Sequence, residues 1–255
     1  MERGKIHKGA RHLFSRKRNG KPKMSIVIPT LNEEKYITEA LDSIRKQKGA
    51  PAHEIIIVDG GSTDKTLKIA RKYADLIIHE PKRTVGAGRN TGMYAARGDI
   101  LVCANADTVY PPHWLKEIMR QFEHKHTVGV IGKVVPKDGD LIDHAFAHLI
   151  LHPAAYVLSK AKMHYVDSSN MAVRADAFFT VGGIDLRLVS GEDTELLKRL
   201  KKHGKVVYAP DAEAYISMRR VKKWGKIYYT YFHTTNFVKT HLLNRGHGHY
   251  EPIRE

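Results

Sequence analysis

One cysteine among 255 residues excludes a disulfide framework. Cys103 sits inside an apolar run and reads as a small core residue in a reduced compartment. Long apolar runs are missing as well. No stretch reaches the roughly 18 to 20 uninterrupted apolar residues of a membrane span, and the best, residues 149–158, carries His152 and Pro153. The basic start has no apolar core ahead of a small-residue cleavage site, so no secretory signal is expected. The expected location is the cytoplasm, either free or peripheral on the inner face of the membrane. There is no internal repeat, and no Gly-x-Gly-x-x-Gly turn follows the first strand-like run, which argues against a dinucleotide. Acid is scarce: 27 Asp and Glu against 43 Lys and Arg leave a formal net charge of +16. Something acidic is therefore attracted, whether nucleic acid, anionic lipid or a phosphate-bearing substrate.

What is present suffices for a substantial core. Residues 1–23 hold Lys5, Lys8, Arg11, Arg16, Lys17, Arg18, Lys21 and Lys23 among few apolar side chains and read as a flexible basic arm. From Met24 onward, β-branched apolar runs at 25–28, 55–58, 76–79 and 100–103 alternate with helical spacing at 34–46, from Thr63 or Asp64 to Tyr73, at 88–96, and from Pro111 to Phe122. Such units predict an α/β fold with a mostly parallel central sheet flanked by helices. After a run at 128–135 the pattern predicts a helix over 141–159 broken near Pro153, an extended stretch at 165–173, an amphipathic helix over 193–202 stopped by Gly204, and a last strand at 206–209. The main domain is expected over 24–217, with 218–255 as a basic, aromatic helical segment and tail. There Trp224, Ile227, Tyr228, Tyr231, Phe232 and Thr235 follow helical spacing beside Lys222, Lys223 and Lys226. Packing on the domain is the favoured reading of that segment, and an interfacial helix at a membrane the second.

Three strand-like runs end in polar residues: Thr30 to Glu33, Asp59 to Asp64, and Asn105 to Thr108. Parallel strands deliver their C-terminal ends to one sheet edge, where such sheets bind ligands, so Glu33, Asp59 and Asp107 are expected to meet in one cleft. Converging carboxylates point to a metal-bound nucleotide. Asp107 suits Mg²⁺ or Mn²⁺, which are commonly held by one or two carboxylates plus substrate phosphates; its alternative role is to cap the helix that follows Pro111 and Pro112. Asp59 is expected to accept a hydrogen bond from a base N–H, with Thr30 and Glu33 lining the same pocket. The stretch from Gly86 to Gly92 is expected to be a close-approach loop whose Arg89 meets phosphate. Asp193 is either a reacting group or an acid complementing a helix dipole. His144, His148 and His152 would stack on one helical face, where a solvated or acceptor-facing stripe is favoured over a zinc site because no cysteine completes the set. His247 and His249 belong to the tail.

In order along the chain, Pro29-Thr-Leu-Asn-Glu-Glu, Val58-Asp-Gly-Gly-Ser-Thr-Asp, Gly88-Arg-Asn-Thr-Gly, Asn105-Ala-Asp-Thr, Gly191-Glu-Asp and Met218-Arg-Arg closely resemble family 2 glycosyltransferases. The resemblance covers roughly 24–224. It implies the nucleotide-sugar-binding GT-A fold and transfer of a sugar with inversion at the anomeric carbon. The nucleotide sugar would be held by Pro29, Thr30, Asn32, Glu33 and Asp59, by Gly88, Arg89 and Asn90, and by Asn105, Ala106 and Asp107, with Asp107 on the divalent metal, Mn²⁺ or Mg²⁺. Asp193 matches the catalytic base, with Glu192 beside it. Arg219 and Arg220 match a basic pair that steadies the diphosphate or a flexible loop. Asp167 and Asn170 fall in a segment resembling the one beside the acceptor site, and His233 stands where a late histidine would join the metal. Asn105 departs from the family's Asp-x-Asp motif and brings one charge fewer to the ion.

The implied partners are a nucleotide-sugar donor, UDP-sugar favoured over GDP- or dTDP-sugar, a glycan or lipid-linked acceptor, and an anionic membrane surface. Inverting transfer needs a single general base, whereas a glycoside hydrolase needs two carboxylates flanking the bond. Two rivals are weaker. A nucleotidyltransferase would want a Gly-rich, basic loop directly after the first strand, where Pro29-Thr-Leu-Asn-Glu stands; a nucleic-acid-binding module rests on charge alone.

Overall fold

Apolar runs without polar alternation are the mark of strands covered on both faces, and four of them form the heart of the sheet. The computed structural model describes residues 9–16, 20–160, 163 and 167–243. In it β1 (Arg11–Ser15), β2 (Met24–Thr30), β3 (His53–Asp59), β4 (Leu76–His79), β5 (Ile100–Cys103), β6 (Thr127–Pro136), β7 (Met171–Arg174) and β8 (Lys205–Ile216) make one sheet in the order β1-β4-β3-β2-β5-β7-β6-β8. β4, β3, β2 and β5 are parallel, β7 is antiparallel to both β5 and β6, and β8 is parallel to β6. Because β7 opposes both of its neighbours, β2 to β6 and β8 all point the same way and only β1 and β7 run against them among the described residues, so the sheet is mixed but mostly parallel, as expected. β7 returns after a long excursion beyond β6 and pairs antiparallel, an arrangement that needs no crossover helix.

Side-chain alternation along β2 separates two cores. Met24, Ile26 and Ile28 face α1 (Ile37–Arg45), α2 (Thr66–Ala70) and α4 (Trp114–Phe122). Val27 faces α3 (Val85–Ala95), α7 (Ala175–Thr180) and α8 (Glu192–Leu200). The glycine run expected as a phosphate loop belongs to α3. A Cβ at Gly92 would come within 2.4 Å of Val27 Cγ1, so the small residues let this helix press on the strands. Cys103 is fully buried, and burial pushes its thiol up to about 12.

The basic arm is partly a strand: Arg11–Ser15 pairs antiparallel with β4. Two further expectations are corrected. α5 (Leu141–Phe146), a π-helical turn (Ala147–Leu151) and α6 (His152–Lys160) run on as one helix through Pro153. The wider π turn contains Leu149, whose carbonyl a proline four residues later would otherwise strike. This 20-residue helix is long and apolar enough to cross a membrane, a property that the search for an uninterrupted run did not register, and only 11% of its most apolar stretch is buried. The last strand reaches past Pro210 to Ile216 because residues 210–212 bulge out where Gly132 pairs with Ala209 and Lys133 with Glu213. β8 is an edge strand, where proline is tolerated.

α9 (Arg219–Trp224) and α10 (Lys226–Leu243) turn back over the sheet edge around Gly225 at φ 78°. α10 packs on α8, burying Phe232 and Thr240, and Lys198 Nζ donates to Thr240 O at 3.1 Å. His247 and His249, with residues 1–8 and 17–19, lie outside the described residues.

Candidate active site

The ends of β2, β3 and β5 open into a cleft of about 480 Å³, closed by the starts of α8 and α9 and by α10. Glu33 and Asp107 meet there as expected. Between them lies Arg219: its Nη2 donates to Glu33 Oε1 at 2.8 Å, its Nε is 2.8 Å from Asp107 Oδ2, and its guanidinium sits 4.9 Å from the Tyr36 ring centroid. Burial raises the Glu33 pKa, opposed by Arg219. Asp107 spends its carboxylate on Arg219, not on capping α4, whose N-cap is His113.

At the other end of the cleft, α8 begins after Gly191, held at φ 76°, where a Cβ would come within 2.5 Å of Thr240 Oγ1. Glu192 is buried and stands 3.5 Å from Arg89 Nη1. Its carboxyl is pushed up to about 7 by burial and by the Asp193 charge, opposed by Arg89. Asp193 is raised by burial too, and its Oδ1 accepts from Thr194 N at 2.6 Å. Asp167 and Ser168 line the same wall, and Asp167 Oδ1 accepts from Ser169 N and Oγ at 2.9 and 2.6 Å. A desolvated carboxylate at a cleft wall, held above its ordinary pKa, is suited to taking a proton.

Two carboxylates sharing one guanidinium leave the buried Glu33 Oε2 without a hydrogen-bond partner. That donor set fits a hard cation that brings its own phosphate ligands. Among the described residues there is no group of three or more His, Cys, Asp or Glu that could hold a metal ion by itself. His233 lines the cleft from α10 with its ring 4.2 Å from Tyr229, but it forms no such group with Asp107.

The sequence model of Glycosyl transferase family 2 matches residues 25–182, more than half of the chain. The chain belongs to glycosyl transferase family 2. Among its family relatives, the succinoglycan biosynthesis protein ExoA of Rhizobium meliloti is 27% identical over 230 residues, 84% of this chain and 70% of ExoA. The poly(ribitol-phosphate) β-N-acetylglucosaminyltransferase TarS of Staphylococcus aureus is 31% identical over 129 residues, 45% of this chain. The chain spans only 22% of the length of TarS and 30% of that of the putative glycosyltransferase EpsH of Bacillus subtilis. The mannosyltransferase PcManGT from Pyrobaculum calidifontis, solved with GDP-Man and Mn²⁺, superposes with a TM-score of 0.68 at 20% identity, covering 89% of this chain and 64% of that one. The fold is GT-A, an α/β sheet with flanking helices.

Within this family 2 frame, several expected site residues do structural work instead. Asp59 is fully buried just behind the cleft lining, and its oxygens accept from Thr30 Oγ1, Gly61 N, Ser62 N and Ser62 Oγ. Gly60 reaches the wall in its place. Asn32, at φ 57°, turns its Oδ1 to Thr63 N beside a separate small hollow. Asn90 ties α3 to the loop at Ile184 N, 3.0 Å away. Asn170 is fully buried outside the cleft lining, where it accepts from Trp114 Nε1 and donates to Lys133 O and Ala212 O. Arg89 is part of the floor and does not meet phosphate freely, since its Nη2 donates to Asn105 Oδ1 at 2.8 Å and its Nη1 faces Glu192.

Pro29, Thr30, Gly88, Ala106, Asp107 and Arg220 all line the cleft, the last with its guanidinium 4.9 Å from the Trp224 ring centroid. Of the three stacked histidines, His152 Nε2 meets Val134 O at 2.7 Å and His148 is exposed. Sequence reasoning missed Glu80 and Arg83 and, apart from His233, the cleft lining supplied by α10. Glu80 directly follows β4, so the strand-end argument applied to a fourth strand would have found it. The helical spacing announced α10 itself, but nothing in the local pattern says that it closes the cleft, since it arrives there from the far end of the chain.

Proposed function

We propose that this chain transfers a sugar from a nucleoside-diphosphate sugar to an acceptor hydroxyl with inversion at the anomeric carbon. The observation that carries this reading is a single cleft with Asp107, Glu33 and Arg219 at one end and the desolvated Asp193 at the start of α8 at the other. Asp193 takes the acceptor proton at a carboxylate oxygen, and the acceptor oxygen attacks from the face opposite the diphosphate. Glu192 and Arg89 form a buried pair beneath it that holds the start of α8 in register with Asn105. Arg220, and Arg219 once it leaves Asp107, offer positive charge to the departing diphosphate. Asp107, with Glu33 near it, would hold a divalent cation, Mn²⁺ or Mg²⁺, which supplies charge neutralisation of the diphosphate when bound.

TarS has been solved with UDP-GlcNAc and PcManGT with GDP-Man and Mn²⁺, which supports a nucleotide-sugar donor and a divalent metal. We favour a UDP-sugar over GDP- and dTDP-sugars, and a glycan or lipid-linked acceptor. Asp167 is assigned to donor or acceptor hydroxyls, and a cytoplasmic site of action goes with the reading. A thermal-shift screen of UDP-, GDP- and dTDP-sugars with Mn²⁺ tests it. A donor that raises the melting point and is turned over by the wild type but not by Asp193→Asn is the expected result. No shift with any nucleotide sugar, or full turnover by Asp193→Asn, overturns it.

A further inference from the structure

A helix that covers a soluble domain turns its large apolar residues inward. The helix Leu141–Lys160 does the reverse. Its inner line is made of small or polar groups: Ala147 and Ala155 are buried, and His152 Nε2 donates to the β6 backbone at Val134 O. The outer line carries Leu141 (85% exposed), Ile142 (69%), Leu149 (76%) and Val157 (64%), with Phe146, Ile150 and Tyr156 also exposed. From His144 to Ser159 the sequence contains no Asp, Glu, Lys or Arg. The apolar surface continues onto α10. Lys226 Nζ reaches Asp140 Oδ2 at 2.7 Å and Asp143 Oδ1 at 2.9 Å, and next to it Ile227 is 89% exposed, with Tyr228 and Tyr231 following. An exposed apolar patch of this kind marks a surface that something covers.

We propose that the outer face of Leu141–Lys160, continued by Ile227, Tyr228 and Tyr231, docks on the surface of an anionic lipid bilayer. Charge selects this occupant. The chain carries +16, so a second copy is repelled while an anionic surface attracts it. The carboxylates nearest the patch are already tied to lysines: Asp138 to Lys222, and Asp140 and Asp143 to Lys226. They therefore add little repulsion. Its aromatic groups suit a headgroup layer, with Tyr156 under the Lys160 ammonium at 5.1 Å and Tyr228 and Tyr231 exposed on α10. The helix lies flat, because its inner line is held by β6, and so it enters the interface without crossing it. Asp138 also accepts from Met218 N at the start of α9, whose Arg219 and Arg220 line the cleft. The docked face thus lies beside the cleft rim, where a lipid-borne acceptor would arrive.

This inference does not depend on the transfer chemistry, and its test is separable from it. The full chain is sedimented with vesicles of phosphatidylcholine alone and of phosphatidylcholine with an equal part of phosphatidylglycerol, at low and high salt. Binding to the anionic vesicles is expected, weakened by salt, and reduced at least about tenfold in Leu149→Glu/Val157→Glu, which replaces exposed residues only. The nucleotide-sugar thermal shift of that variant should match the wild type. Hydrogen exchange of the wild type adds a reading free of any substitution: residues 141–160 should gain protection on anionic vesicles. No sedimentation, equal sedimentation of the variant, or absence of that protection overturns the proposal. A dimer in size exclusion that the double variant abolishes, without vesicle binding, assigns the face to a second copy and overturns it as well.

Discussion

Asp59 and Asp193 are both desolvated carboxylates at the edge of one sheet, and they are treated in opposite ways. Asp59, at the end of β3, is enclosed by donors from its own turn and from Thr30, so its charge is consumed in building the strand end. Asp193, at the start of α8, has donors at Thr194 N and the Ser168 side chain, against four for Asp59, lies near the charges of Arg89 and Asp167, and has its pKa raised by burial. A buried charge that is fully hydrogen-bonded stabilises the fold, whereas one left short of donors keeps its basicity for a ligand. Glu33, whose Oε2 has no partner, belongs with Asp193.

The comparison breaks first if Asp193 is dispensable. Asp193→Asn should lower kcat by roughly 10²–10⁴ while leaving donor affinity and the urea midpoint near wild type. Asp59→Ala should do the opposite. Stripping the acceptors from four donors should cost about 3 kcal/mol or more in urea unfolding, and any loss of turnover should follow the loss of folded protein. A smaller effect concerns Arg219. Arg219→Gln frees Asp107 and Glu33 from their internal cation, and Mn²⁺ binding without nucleotide, measured by calorimetry, should tighten by about tenfold, or about 1.4 kcal/mol. Unchanged Mn²⁺ affinity would mean that Asp107 is not the ion's anchor.

The smallest expected effect is a pH dependence. Glu192 has a folded pKa of about 7 against an ordinary 4.5, so between these values the native state keeps a proton that the unfolded chain has lost. Stability therefore falls as pH rises through that window. Glu192→Gln should raise the melting temperature by about 2–4 °C above the window and change it little below. In turnover, the acid limb of kcat/KM should lie above the ordinary aspartate range, because the raised Asp193 must be ionised to accept a proton.

Strands covered on both faces were the most legible elements: the runs at 76–79 and 100–103 coincide with β4 and β5, since continuous burial leaves an unbroken apolar run. β1 was illegible because its pairing is made with residues some 65 positions later, and its own side chains are only half-buried. The π turn was illegible for a different reason. A proline signals a break, and only the helix's neighbours determine whether the backbone widens instead. In the site, Asp107 and Glu33 could be brought to one place by strand topology alone, but the hydrogen bonds that engage Asn170 and Asp59 inside the fold were illegible, because sequence does not count donors.

By itself the amino-acid order determined the alternation of strands and helices, the side of the sheet on which polar strand ends gather, and the excess of positive charge. These depend on local periodicity and composition, which neighbouring residues carry among themselves. Only the tertiary structure decided which carboxylates are spent and which are held in reserve, that Arg219 crosses from the far end of the chain to bridge Glu33 and Asp107, and that the Leu141–Lys160 helix shows its apolar side outward. Those outcomes follow from donors, charges and surfaces supplied by segments remote in sequence, and no local pattern encodes them.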